Sequence, residues 1–214
     1  EIARMPVAPV SELMLVGHTE DGRQIRVAWF DHFRFDGPAV PVLALSDELI
    51  GRLFSGVELR PAWRLGDRRL EQDAIDFWTR LNLLPPGADP EQRAGELAAI
   101  AYKDGRVAGV TTIALARMEQ VRARLGMMRG AVDPEHRRSG VGLALLFFTR
   151  PLIERWSMDH PEERVAGLGA VMQTPDLAAW EAQPYWPKTG FGLIGFAPDG
   201  NQVRVSWFRD FRLD

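Results

Sequence analysis

The sequence predicts an α/β (α+β) protein with mixed strand and helix periods through most of its length. The short apolar run 127–132, interrupted by Arg129 and Gly130, reads as a buried strand, and Pro134 marks its end, since proline cannot donate to a sheet ladder. Arg137, Arg138, Ser139, Gly140, Val141 and Gly142 follow, leading into the helix-like run of Leu143, Leu145, Leu146, Phe147, Leu152 and Ile153. Strand, glycine-bearing loop and helix therefore come in immediate succession. Asp-Gly pairs at 21–22 and 199–200, each between strand-like runs, add hairpins at the two ends of the chain.

Taken in order, residues 13–16 and 24–30 form the first hairpin, with Ile25, Val27 and Trp29 on one face by the period of two. Residues 37–41 are a linker. Ser46 is placed to cap a short helix through 53, which Ser55 and Gly56 end. A domain boundary is drawn there, giving an N-terminal extension of 1–56 and a main domain of 57–214. Residues 57–63 open the main domain as a strand. Leu70, Ala74, Phe77, Trp78 and Leu81 then repeat at helical spacing within 67–84, and Pro85-Pro86-Gly87 stops that helix. Residues 90–96 add a helical turn or two. Residues 96–102 and 107–116 pair around Lys103-Asp104-Gly105-Arg106, with the second strand expected to run on, bent, toward Arg124. After the helix at 140–157 come a strand at 165–172, a helix from 175 to 180, and a hairpin of 193–196 with 202–208.

The loop before the long helix has a chemical reading. A helix start leaves several backbone N–H groups without intrahelical partners. Glycines let an anion approach that backbone, the helix dipole favours negative charge, and Arg137 and Arg138 reinforce it. Pyrophosphate is the natural guest. Val132, Pro134, Arg137, Gly140 and Gly142 resemble, position by position, the acetyl-CoA-binding segment of the GCN5-related N-acetyltransferase (GNAT) superfamily. Lys188-Thr189-Gly190-Phe191 is similar to the Lys-x-Gly-Phe before that family's last hairpin, and the element order over 57–214 is also the family's.

The resemblance implies the GNAT acyl-CoA N-acyltransferase fold: a mixed, mostly antiparallel central sheet flanked by helices, here with an N-terminal β-hairpin extension. It implies acetyl-CoA, or another acyl-CoA, as cofactor. The backbone at Ala131 and Val132 would pair with the pantetheine arm, and one N–H there would polarise the thioester carbonyl. Arg138, Ser139, Gly140, Val141 and Gly142 would hold the pyrophosphate on their amides, with Arg137 beside them. The family's thiolate-protonating tyrosine falls at Trp186 in this sequence, one residue past Tyr185. A helix turned by one residue, with Pro184 and Pro187 at hand, makes Tyr185 the catalytic acid. The family's asparagine near that helix start is replaced by Gln173-Thr174-Pro175-Asp176. No acid lies in 127–132, so no base is assigned; Glu119, Glu96 and Asp176 are candidates that also read as solvated surface acids.

Six arginines (117, 122, 124, 129, 137, 138) face three acids (Glu119, Asp133, Glu135) between Leu115 and Gly140. This local excess suits an anionic cofactor and equally an ordinary charged rim. The net charge of −3 over 214 residues argues against a general nucleic-acid binder. Without cysteine there is neither a disulfide nor a thiolate site, which fits the cytoplasm. No apolar run approaches a membrane span. His18, His32, His136 and His160 show no ligand spacing, and no metal is expected. No P-loop Lys-Ser/Thr follows the glycines, which excludes that class of nucleotide site.

The activity implied is an acyl-CoA-dependent N-acyltransferase, moving acetyl to a small-molecule or peptide amine by direct attack; a homodimer is compatible with it. The alternative is a non-catalytic GNAT-fold module that binds acyl-CoA as a sensor or interaction scaffold, which the displaced tyrosine and missing acid favour. Finally, residues 15–36 match 193–214 at a constant offset of 178, with twelve identities over 22 positions. Such a match predicts a repeated structural unit. The first copy, as a lone hairpin unstable in water, is expected to dock on the main domain.

Overall fold

A computed structural model describes residues 5, 7, 13–29, 48, 51, 54–173 and 183–211. Its strands are β1 (Met14–His18), β2 (Gln24–Val27), β3 (Glu58–Pro61), β4 (Leu97–Lys103), β5 (Arg106–Met118), β6 (Ala123–Val132), β7 (Val165–Val171), β8 (Tyr185–Trp186), β9 (Phe191–Phe196) and β10 (Gln202–Trp207). Its α-helices are α1 (Arg68–Leu81), α2 (Pro90–Ala94) and α3 (Val141–Asp159). Eight strands form one sheet in the order β3-β4-β5-β6-β7-β10-β9-β8, and β1-β2 form a sheet of their own. β6 and β7 run parallel, as the α3 crossover requires, whereas β3–β4, β4–β5, β7–β10, β9–β10 and β8–β9 are antiparallel. This is the mixed, mostly antiparallel class that the sequence predicts. Among the described residues no helix is long and apolar enough to cross a membrane.

The chain divides into two compact units, one of residues 45–114 with 128–155, the other of 1–44, 115–127 and 156–214. In the first unit, α1 begins because Asp67 accepts from the N–H groups of Arg69 (3.0 Å) and Leu70 (3.3 Å). It ends where Asn82 turns left-handed. Its buried face, Leu70, Ala74, Phe77 and Trp78, packs with Leu97, Ile100 and Val110. Residues of β4 on the other face, Ala99 and Ala101, pack with Ala108 and with Val141 and Leu145 of α3. Small residues there let the helix sit close. A Cβ on Gly109 would lie 2.9 Å from the Ala131 carbonyl oxygen, 3.0 Å from Leu145 Cδ1 and 3.1 Å from Val141 Cγ1. Farther along, the buried hydroxyls of Thr111 and Thr149 meet at 2.8 Å. The start of α3 is thus held against β5 by close packing.

In the second unit β7 lies between β6 and β10, and β9 between β10 and β8. Met14, Leu15, Val121, Leu125, Ala166, Ile194, Val205 and Trp207 share its core, so the β1–β2 hairpin is packed in.

Two strand boundaries differ from the sequence reading by more than two residues. β5 stops at Met118, and the chain turns back through a left-handed Arg122 (φ 50°), whose N–H donates to the Glu119 carbonyl at 3.1 Å. β6 therefore begins at Ala123 instead of 127, and no bent extension of β5 exists. β2 ends at Val27, short of Trp29. The predicted helix at 175–180 lies outside the described residues, as does most of that at 46–53.

Candidate functional site

The glycine loop is anchored from below by Asp133. Its N–H donates to the Ala108 carbonyl at 2.8 Å, continuing the attachment of β6 to β5. Its buried carboxylate accepts from the Glu135 N–H at 3.0 Å, capping a 3-10 turn at Pro134–His136, and pairs with the Arg80 guanidinium at 2.9 Å. Burial by itself would raise the pKa of this carboxyl. The Glu135 N–H and Arg80 more than offset burial and hold it below the usual carboxylate range. A charged Asp133 thus clamps the loop to the last turn of α1, a role that counting charges along the sequence misses.

Beyond the 3-10 turn Arg138 (φ 62°) and Gly140 (φ 87°) are left-handed. Ser139 is turned back on the loop: its hydroxyl donates to the His136 carbonyl at 2.6 Å and its N–H to the same oxygen at 3.3 Å. The Ala144 N–H donates to the Gly140 carbonyl at 2.8 Å, the first helical bond of α3. By helix geometry the N–H groups of Val141, Gly142 and Leu143 then lack intrahelical acceptors. Val141 is fully buried in the core while Gly142 is exposed, so the first turn is fixed on one side and open on the other. A Cβ on Gly142 would meet Val132 Cγ2 at 3.3 Å.

The parallel ladder of β6 with β7 runs from Arg124 to Met127. β6 itself continues to Val132, with Arg129 and Gly130 exposed and Ala131 and Val132 half-buried. Ala131, Val132, Arg137, Arg138, Ser139, Gly140, Val141 and Gly142 thus stand in one unit, on a strand end and the loop and helix start that follow it. Arg137 and Arg138 are exposed.

The arginine excess is smaller in space than along the chain. Arg117 pairs with Glu119 (3.0 Å), Arg124 with Glu163 (2.6 Å) and Arg129 with Glu96 (3.2 Å). Glu119 is exposed in the turn after β5, and Glu96 is also held by Arg93 at 3.3 Å. Asp176 lies outside the described residues. Among the described residues no three of His, Asp and Glu gather as a metal site would need.

Tyr185 belongs to the other unit. It is not on a helix turned by one residue: Tyr185 and Trp186 form β8, pairing with Gly192 and Phe191 of β9. Alternation along a strand sends the two rings to opposite faces. Tyr185 is half-buried and packs on the core that includes Met14. Trp186 is buried under the Arg204 guanidinium, 4.3 Å from its ring centroid.

The first unit also carries a cleft that the sequence does not reveal, of about 460 Å³, with Arg69, Asp73, Asp76, Arg80, Tyr102 and Arg106 in its walls. The Tyr102 hydroxyl donates to Asp73 at 2.5 Å, and burial together with that carboxylate pushes its pKa well up.

No family model matches the sequence, and no curated protein does. Solved structures do. One is an acetyltransferase of the GNAT family from Streptococcus pneumoniae, 17% identical, with 70% of this chain and 96% of that one covered at a TM-score of 0.45. Another is the ribosomal-protein-S18-alanine N-acetyltransferase of Escherichia coli, 17% identical, covering 70% and 90% at 0.44. A third is the ribosomal-protein-alanine N-acetyltransferase of Brucella melitensis, 18% identical, covering 70% and 99% at 0.46. The likeness is one of fold.

Proposed function

We propose that the protein is an acyl-CoA-dependent N-acyltransferase, transferring acetyl from acetyl-CoA to an amine of a small molecule or peptide. The observation that carries this reading is the start of α3: first-turn amides of Val141, Gly142 and Leu143 without intrahelical acceptors, left-handed Arg138 and Gly140, and a strand end whose ladder with β7 has already stopped. Acyl-CoA would supply the acyl group as a thioester. The amides of Gly140, Val141 and Gly142 would hold its pyrophosphate, with Arg137 and Arg138 as counter-charges. The Ser139 N–H, already bonded within the loop, contributes less. The backbone at Ala131 and Val132 would pair with the pantetheine arm and polarise the carbonyl. A neutral amine would attack the thioester carbon, forming the C–N bond as the C–S bond breaks; its nitrogen would release a proton to water, and the departing thiolate would take one, in this reading from Tyr185, which solvent then reprotonates.

Coenzyme A should raise the melting temperature of the full chain. A ligand binding only the native state stabilises it by RT ln(1 + [L]/Kd), about 2.7 kcal/mol at a hundredfold excess over Kd. Acetyl-CoA with an amine panel should release free thiol. No melting shift at millimolar coenzyme A would remove the cofactor from this reading. A shift without thiol release on any amine would leave the second reading, a non-catalytic acyl-CoA-binding module. Two observations favour that second reading: Tyr185 is packed on a strand in the core, and β6 carries no acid from Met127 to Val132.

Tyr185→Phe tests the proposed acid at a single atom. If the hydroxyl protonates the thiolate, kcat falls on the order of tenfold to a hundredfold while KM for acetyl-CoA is nearly unchanged, because that contact matters in the transition state. An unchanged kcat assigns Tyr185 to packing alone.

A further inference from the structure

The internal match of the sequence is a match of interactions. At the offset of 178, Met14↔Val27, Leu15↔Arg26, Gly17↔Ile25 and His18↔Gln24 in the first hairpin correspond to Gly192↔Val205, Leu193↔Arg204, Gly195↔Val203 and Phe196↔Gln202 in the second. Register and bulge are the same in both. The turns agree too: Thr19 N–H to the Arg23 carbonyl at 2.8 Å corresponds to Ala197 N–H to Asn201 at 2.8 Å. Arg26 donates to Gln24 Oε1 (2.8 Å) and to the Met5 carbonyl (2.7 Å), as Arg204 donates to Gln202 Oε1 (2.6 Å) and to the Gln183 carbonyl (2.6 Å). The bridge Val7↔Met14 corresponds to Tyr185↔Gly192 of β8 and β9. The repeat therefore reaches back to residues 5 and 183, and Pro6 and Pro9 match Pro184 and Pro187.

The two copies also meet at equivalent positions. Met14 Sδ occupies the space that a Cβ on Gly192 would need. The Gln120 side-chain amide donates to the Val16 carbonyl (2.9 Å) and to the Ile194 carbonyl (2.5 Å), which are equivalent atoms. Cβ atoms on the equivalent Gly17 and Gly195 would lie 3.6 Å from Gln120 Cγ and 3.2 Å from Gln120 Nε2. Contact between like positions is the mark of a self-complementary, isologous interface, ordinarily found between two copies of one chain.

We propose that the β9 face is a self-association surface whose partner is the same hairpin of a second copy of this chain, and that Met5, Val7 and residues 13–29 hold that place within the chain. Gln120 pins the two copies in register. The surface is distinct from the glycine loop, and the inference does not rest on the proposed activity.

Since the chain has no cysteine, Gly192→Cys introduces its only thiol. In the full-length protein the end of the Met14 side chain must swing aside for the new Cβ, but the rest of β1 should still cover that thiol, leaving it uncrosslinked under oxidation and the mass unchanged from wild type. Adding Met14→Glu, a charge at a position only 4% exposed, should unseat the N-terminal copy. The mass measured by sedimentation should then double, and an intermolecular disulfide should form, because position 192 meets position 192 across a homotypic contact. A folded Met14→Glu protein of wild-type mass, or a doubled mass without the disulfide, overturns the proposal. Should Met14→Glu not fold, wild-type protein concentrated in sub-denaturing urea and diluted must yield a species of twice the mass. Met14→Cys with Gly192→Cys, joined within one chain, must block it, and reduction must restore it. No such species, or its equal appearance in the joined protein, overturns the proposal equally.

Discussion

In Gly142→Asp, millimolar coenzyme A is expected to leave the melting temperature unmoved, while the wild-type protein gains roughly 5–10 °C, the equivalent of about 2.7 kcal/mol in a chain of this size. The new carboxylate would stand where the pyrophosphate belongs, and the open N–H groups of the first helical turn would satisfy it in place of the ligand. The free protein should be little disturbed. A carboxylate in the first turn of a helix is favourable by about 0.3–1 kcal/mol, and its Cβ presses on Val132 Cγ2 at 3.3 Å, a contact eased by a few tenths of an ångström. These two effects oppose each other, so the loss of the ligand shift is not confounded with unfolding. Gly142→Ala, with the same Cβ and no charge, should keep most of the shift. If Gly142→Asp responds to coenzyme A as the wild type does, the anion is held elsewhere.

What the sequence discloses is local in its causes. α1 is legible because its cap, Asp67, and its apolar spacing lie within one stretch. The β4–β5 turn is legible because Asp104 and Gly105 both take positive φ, 51° and 74°, as an Asp-Gly hairpin turn demands. The glycine loop shows itself by residue types at fixed spacing. What stays hidden depends on partners distant along the chain. The Arg80–Asp133 pair links a helix end to a loop with no local signal. Glu163 and Glu96 neutralise Arg124 and Arg129 from other elements, so a charge count along 115–140 overstates the basic field. The start of β6 is obscured because Arg122 and Arg124 break the apolar run that continues it. β8, two residues between prolines, is too short for any periodicity, although its counterpart at Val7 marks it once the repeat is extended upstream.

The repeat supplies the second large effect, because it places one constellation in two environments. Arg204 is fully buried, bonded to the Gln183 carbonyl and Gln202 Oε1 and stacked over Trp186, whereas Arg26, with the same two acceptor positions, is half-buried. Arg204→Ala leaves those acceptors in the interior and opens a cavity under the indole, which together should cost about 3–5 kcal/mol. Arg26→Ala exposes its acceptors to water and should cost about 1 kcal/mol. Arg204→Lys should recover little, since an ammonium cannot span both acceptors and lie flat on the ring as a planar guanidinium does. Arg204→Met is the more searching substitution. Burying a charge is costly in itself, and a well-packed apolar residue can replace one without loss; here it would fill the volume but strand two acceptors, so its cost should fall between those of Arg26→Ala and Arg204→Ala. Urea midpoints of the four variants, at unchanged slope, read the series. Equal losses for Arg204→Ala and Arg26→Ala would mean that burial does not set the strength of this contact, and that the C-terminal copy is no more firmly built than the copy packed against it.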